Sequence, residues 1–374
     1  MKRSFKLITM LGIPVEINVS WFIIFGLVTY TLATGYFPAA APSHSPVVYL
    51  LMGFISAFLL FICLLLHELS HSYIAEINDL PISGITLFAF GGVAHMEKEP
   101  GSPGVEFKMA AAGPIMSLLL GAAFYIASIG LQKIGASRVF YSITDYLVLL
   151  NCAVAIFNLL PGFPLDGGRL FRAAIWKFSG DLRRATLIAS NIGKLIAGLL
   201  IALGLLTLLT GNLLSGLWFV FLGFFLMEAA DTSYKQLRMK KILSSIKVKD
   251  LMSKNVVTVP GSIMLDRLIE DYFFKFRYAS FPVVEDDSIL GIVTFHDIKE
   301  RDKNDWPKVT AKEAMLMIND SLLTDKEEDL VTALVKIVNN GVGRLLVIED
   351  SKLIGIISQK DIIRLFQFKE EIGD

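Results

Sequence analysis

The twenty residues from Val47 to Leu66 contain no charged side chain. Wound as an α-helix, such a run matches the hydrocarbon thickness of a bilayer, and irregular backbone of that character has nowhere to satisfy its polar groups. Five further stretches are predominantly apolar, at about 19–37, 108–131, 145–163, 189–210 and 213–230. With 47–74 they predict six spanning helices, the last two joined by a tight Gly211-Asn212 turn. Charge then divides the chain. Asp, Glu, Lys and Arg number 25 in residues 1–232 and 45 in 233–374. The expected fold is thus a polytopic α-helical membrane domain (1–232), a linker (233–246) and a soluble α/β part.

An even number of spans puts both ends of this chain on one side, and the basic residues choose it. Fourteen Lys and Arg, from Lys2, Arg3 and Lys6 to Lys240 and Lys241, lie in loops on the side of the termini, against Lys133 and Arg138 on the other. The positive-inside rule makes the first side cytoplasmic, in a cell membrane. The N-terminal segment has no small-residue cleavage site, and its apolar run reads as a retained anchor. Formal net charge is zero, so no bulk nucleic-acid binding is expected. Cys63 and Cys152 lie in apolar stretches and imply no disulfide framework; Cys63 reads as a small buried apolar residue.

The apolar run from Val47 ends in His67-Glu68-Leu69-Ser70-His71. On a helix this spacing puts both imidazoles on one face, one turn apart, where they can share a zinc ion with Glu68 as general base. The second and fourth spans both run inward, so Asp166, just after the fourth, reaches a depth comparable to the histidines. A carboxylate there needs a cationic partner, which a zinc ion held by two imidazoles would be. His44 and His95 are lone loop histidines, expected to be structural or solvent-facing.

Residues 82–95 are too short and glycine-broken to span, yet too apolar for an ordinary loop. They read as a small re-entrant β element packed against protein. In the soluble part, Gly291 to Ile298 recurs as Gly355 to Ile362, offset by 64, and Asp250-Leu251-Met252 as Glu313-Ala314-Met315. This predicts two small α/β modules, at 247–304 and 308–370.

Together, His67-Glu68-x-x-His71, Asn158 through Gly167 with its Leu-Asp-Gly ending, Phe90-Gly91-Gly92 and Ala112-Gly113-Pro114 resemble the site-2 protease family of intramembrane zinc metalloproteases. The resemblance covers about 1–232. It implies one zinc ion per chain on His67, His71 and Asp166, Glu68 as the base, and Asn158 on the substrate carbonyl or developing oxyanion. Two imidazoles and a carboxylate with one open position are independently a catalytic zinc set. The expected substrate is the transmembrane segment of a membrane-anchored regulatory protein. Its helix must unwind for cleavage, and 82–95 could receive it as an added strand. Where the family often has asparagine three residues after Ala-Gly-Pro, this chain has Ser117, which reads as a packing change at a helix contact.

The soluble repeat resembles a pair of CBS domains. That resemblance implies an adenine nucleotide such as ATP or AMP, with Thr294 and Asp297, or Ser358 and Asp361, at phosphate and ribose, and a homodimer formed through the pair. Asp297 and Asp361 could equally be helix caps. Two other readings compete with a protease: a membrane transporter or channel gated by the CBS pair, and an inactive scaffold. The zinc-and-base constellation separates the protease from both.

Overall fold

The computed structural model describes residues 4–88, 91–96, 98–286, 288–350 and 352–372, so Lys2, Arg3 and the Phe90 of Phe90-Gly91-Gly92 lie outside the described residues. The chain divides into two units, Met1–Lys235 and Gln236–Asp374.

The first unit opens with strands, where only the flank of an anchor is expected. β1 (Ser4–Met10) and β2 (Ile13–Asn18) form an antiparallel hairpin whose turn uses Gly12 at φ +83. The alternation Ile13, Val15, Ile17 is a period-2 signal, and all three side chains are buried. β2 then pairs parallel with β3 (Ile82–Phe88), which pairs antiparallel with β4 (Gly91–Met96). The expected β element is thus half of a four-stranded sheet ordered β1-β2-β3-β4.

Asn18 caps α1 (Val19–Thr31), its side chain accepting from Ser20 N–H; the helix continues through a π turn into α2 (Phe37–Ala40). α3 (Pro46–Glu76), α4 (Pro103–Lys133) and α5 (Arg138–Asn158) follow. After a loop come α6 (Asp166–Ser179), α7 (Leu182–Leu209) and α8 (Leu213–Ser244). Among the described residues, six helices are long and apolar enough to cross a membrane, counting Val19–Ala40 as one. Phe22, Ile23, Leu51, Ile126, Leu206 and Leu217 are each more than half exposed on them. Water would not tolerate an apolar surface of that extent, whereas lipid would.

The fourth span begins and ends earlier than 145–163. Pro161 supplies no N–H and biases its predecessor away from helix, so α5 stops at Asn158. The amphipathic, non-spanning α6 is not anticipated at all. One core ties the sheet to the helices: Ile13, Val15, Ile85 and Leu87 pack with Leu69 of α3 and Met109 of α4. The sheet therefore covers the end of α3 that carries the histidines.

The second unit contains α9 (Val248–Leu251), β5 (Val259–Pro260), α10 (Leu265–Leu268), β6 (Ser280–Glu285), β7 (Ser288–Thr294) and α11 (Phe295–Lys299). Its second half repeats the pattern as α12 (Ala311–Ala314), β8 (Leu316–Met317), β9 (Leu323–Asp325), α13 (Leu330–Asn339), β10 (Arg344–Glu349), β11 (Lys352–Ser358) and α14 (Gln359–Ile372). The modules exchange their leading helices. Val248 and Leu251 of α9 pack in the core of β10 and β11, with Leu330 and Ile357, while Ala311 and Ala314 of α12 pack with Val283 and Val293. The twofold echo extends to contacts: Met315 Sδ abuts Gly291, and Met252 Sδ abuts Gly355. Residues 233–244, expected as linker, are helical within α8, and Leu243 is buried in that same second core.

Candidate metal centre

α3 presents His67 and His71 on its buried face, as the four-residue spacing requires. The third donor arrives from Asp166, the first residue of α6. What lets α6 begin there is glycine. A Cβ on Gly167 would lie 2.3 Å from the Leu159 carbonyl, and one on Gly168 would lie 2.3 Å from the Gly162 carbonyl carbon. Only glycine allows the start of α6 to nest against the loop that follows α5. A second device holds α6 in place. Arg172 Nε donates to Glu106 Oε1 at 2.6 Å, joining α6 to the first turn of α4, and its guanidinium stacks 4.9 Å over the Phe163 ring. Glu106 is fully buried, so removing either partner would strand a charge.

The donors converge. Asp166 Oδ2 lies 3.2 Å from His67 Nε2 and 3.2 Å from His71 Nε2, and the two Nε2 atoms are 3.3 Å apart. Tetrahedral zinc with bonds of about 2.0–2.1 Å separates its ligands by about 3.3–3.4 Å, so the triangle fits that ion. His71 Nδ1 faces the Met109 carbonyl at 2.7 Å. A carbonyl only accepts, so Nδ1 carries the proton and Nε2 offers a lone pair to the centre. Ser117 Oγ lies 2.8 Å from His67 Nδ1. The packing role expected of Ser117 is therefore incomplete: it is a hydrogen-bond partner of a donor residue. A Cβ on Gly113 would fall 2.2 Å from His71 Nε2 and 2.5 Å from His67 Nε2, so α4 lies directly on the site. Met109, Gly113 and Ser117 recur every four residues along one helix face. That spacing was the available sequence signal for the role of α4.

Glu68 is half-buried between the histidines, and a Cβ on Gly92 of β4 would meet its Cγ at 2.5 Å. Asn158 ends α5, half-buried, eight residues and one loop before Asp166. His44 Nδ1 makes local contacts at 3.1 Å with the Ala41 and Pro42 carbonyls, and His95 Nε2 lies 3.0 Å from Thr86 Oγ1. Neither joins the centre, and among the described residues His67, His71 and Asp166 are the cluster with ligand atoms within 4.8 Å of one another.

In the second unit, Thr294 with Asp297 and Ser358 with Asp361 form equivalent helix caps. Each hydroxyl donates to the carboxylate, at 2.7 and 2.6 Å, and each Asp N–H donates back to the hydroxyl oxygen. Ser358 and Asp361 also line a cavity of about 380 Å³ with Arg277, Tyr278, Ser280, Arg344 and Lys360; Thr294 and Asp297 do not. Arg344 Nη1 donates to the Ser280 carbonyl at 3.2 Å. Burial draws its guanidinium below the usual arginine range, against the pull of Asp361 and Tyr278. Ser280 Oγ is buried without a hydrogen-bond partner.

Residues 55–144 and 129–200 match the model of peptidase family M50, and 248–304 and 311–367 match that of the CBS domain. The chain is 31% identical over 377 residues to zinc metalloprotease MJ0392 of Methanocaldococcus jannaschii, covering 100% of both proteins. It is 32% identical over 367 residues to a Mycobacterium tuberculosis protein that bears the name of a zinc metalloprotease, Rip3, covering 98% of this chain and 93% of that one. The solved site-2 protease from Methanocaldococcus jannaschii is 31% identical, covering 62% of this chain and 95% of that one, with a TM-score of 0.42.

Proposed function

This chain belongs to peptidase family M50, the site-2 protease family, and carries a CBS pair; on that premise we propose that it is an intramembrane zinc endopeptidase that cuts the transmembrane segment of a membrane-anchored regulatory protein. The observation that carries this reading is the 3.2–3.3 Å triangle of two imidazole nitrogens and a carboxylate oxygen, with both imidazoles on a helix too apolar for water.

His67, His71 and Asp166 would hold the zinc. When bound, the ion supplies the Lewis acidity that activates water and polarises a peptide carbonyl. Glu68, in the turn between the two histidines, takes a proton from the attacking water and returns it to the leaving amine. Asn158 steadies the substrate carbonyl oxygen by donating from its amide. A substrate helix has its backbone groups paired internally and must open first. β4 supports a way to hold it open: it is an edge strand, and Gly92 brings its backbone against Glu68. The excess of Lys and Arg in the loops beside the termini supports a cytoplasmic CBS pair.

That pair binds an adenine nucleotide and relays its level to the protease. Support comes from the cavity at Asp361, where Arg277, Arg344 and Lys360 outnumber the carboxylate and favour a phosphate-bearing ligand. A transporter reading has no use for a zinc-ligand triangle with a base beside it. The deciding experiment is cleavage of a transmembrane model substrate by purified full-length protein, against Glu68→Gln. The variant should keep its zinc and lose about 10²- to 10⁴-fold in rate; equal proteolysis by both proteins ends the reading.

A further inference from the structure

Both imidazoles stand against one face of α4, but they are held by different chemistry. His71 Nδ1 meets a backbone carbonyl, which no side-chain substitution can remove. His67 Nδ1 meets a side chain, the Ser117 hydroxyl, at 2.8 Å. Ser117 is 1% exposed and His67 3%, so water does not compete for that contact. For His67 Nε2 to offer a lone pair toward Asp166 and His71, the ring proton must reside on Nδ1, and Ser117 Oγ must accept it.

We propose that Ser117 is a positioning residue for the metal: it fixes the orientation and Nδ1–H tautomer of His67 and so sets the affinity of the site for zinc. Without the hydroxyl, the buried Nδ1–H has no acceptor. The ring is then free to turn, or to carry its proton on Nε2, where it blocks coordination. The inference rests on the reading that His67, His71 and Asp166 hold zinc. It differs sharply from a role in helix packing. Alanine fills a close helix contact as well as serine, whereas for an acceptor alanine is the damaging change and threonine or asparagine the repair.

The experiment is a zinc competition titration of full-length protein in detergent against a chromophoric chelator, for wild type, Ser117→Ala, Ser117→Thr and Ser117→Asn. Circular dichroism checks that each variant is folded. We expect wild type to bind one zinc and Ser117→Ala to bind about 10- to 100-fold more weakly, with threonine or asparagine restoring affinity. Ser117→Ala binding as tightly as wild type overturns the proposal and leaves the zinc site intact. Failure of both threonine and asparagine to rescue a weakened alanine variant also overturns it, in favour of a shape requirement. Wild type that binds no zinc overturns the metal reading itself, a separate and recognisable result.

Discussion

At Gly113 an added methyl group would lie 2.2 Å from one imidazole nitrogen and 2.5 Å from another, closer than atoms can approach. Helix propensity argues the other way: alanine is favoured over glycine by about 1 kcal/mol in a helix interior. Gly113→Ala should therefore leave the helix intact or slightly firmer while pushing His67 and His71 off their convergent positions. We predict a loss of zinc affinity of at least about tenfold, the scale at which neighbours of ligands act. Chelator competition checks it, and undiminished affinity would show that α4 can yield at this point. Asp166 answers a related question of chemistry. A carboxylate with two imidazole nitrogens at 3.2 Å has a reason for its position beyond capping the turn before Gly167. His67, Glu68, His71 and Asp166 were legible from sequence because spacing and depth are one-dimensional quantities. Ser117 was only half legible, since a serine facing a neighbouring helix and a serine facing a histidine look alike in a string of letters.

Among the elements, β4 and α6 matter most to the site. Within 82–95, β3 is an inner strand paired on both sides, so disrupting it would damage the sheet as well as any substrate path. Of β3 and β4, only β4 is an edge strand of the sheet. Along a strand, neighbouring N–H groups point to opposite sides, so one of Val93 and Ala94 offers its N–H to the open edge. Val93→Pro and Ala94→Pro, assayed together, should include one variant with slower substrate cleavage and unchanged zinc content. Full activity in both would count against strand addition. α6 escaped sequence reading because it is short and amphipathic, with Arg169, Arg172 and Lys177 resembling loop charge. Its role depends on the buried Glu106–Arg172 pair, whose members are 66 residues apart. No local pattern announces a partnership at that distance.

For the whole molecule, the proposed regulatory ligand would have its place in the cavity at Asp361. Titration calorimetry of full-length protein with ATP and AMP should give binding heat, and Arg344→Ala should weaken it about tenfold or more, the loss expected for a charge-assisted hydrogen bond. No heat with any adenosyl ligand would leave the pair as a contact for dimerisation. The equivalent Thr294–Asp297 cap lies outside this cavity, although sequence gave the two half-sites equal standing. Sequence by itself determined the number of apolar helices among the described residues, the charge boundary near 232 and the internal repeat, and it picked out His67, His71 and Asp166, with Glu68 beside them, as a candidate centre. Each of these is written in local composition or fixed spacing, which the period of a helix or the thickness of a bilayer converts directly into geometry. Tertiary structure alone decided that the N-terminal hairpin completes a four-stranded sheet over α3, that the CBS modules trade their leading helices, and that Ser117 and Gly113 press on the imidazoles. Those outcomes depend on which surfaces meet, and packing between segments far apart in the chain is settled by shape and burial rather than by any repeat along it.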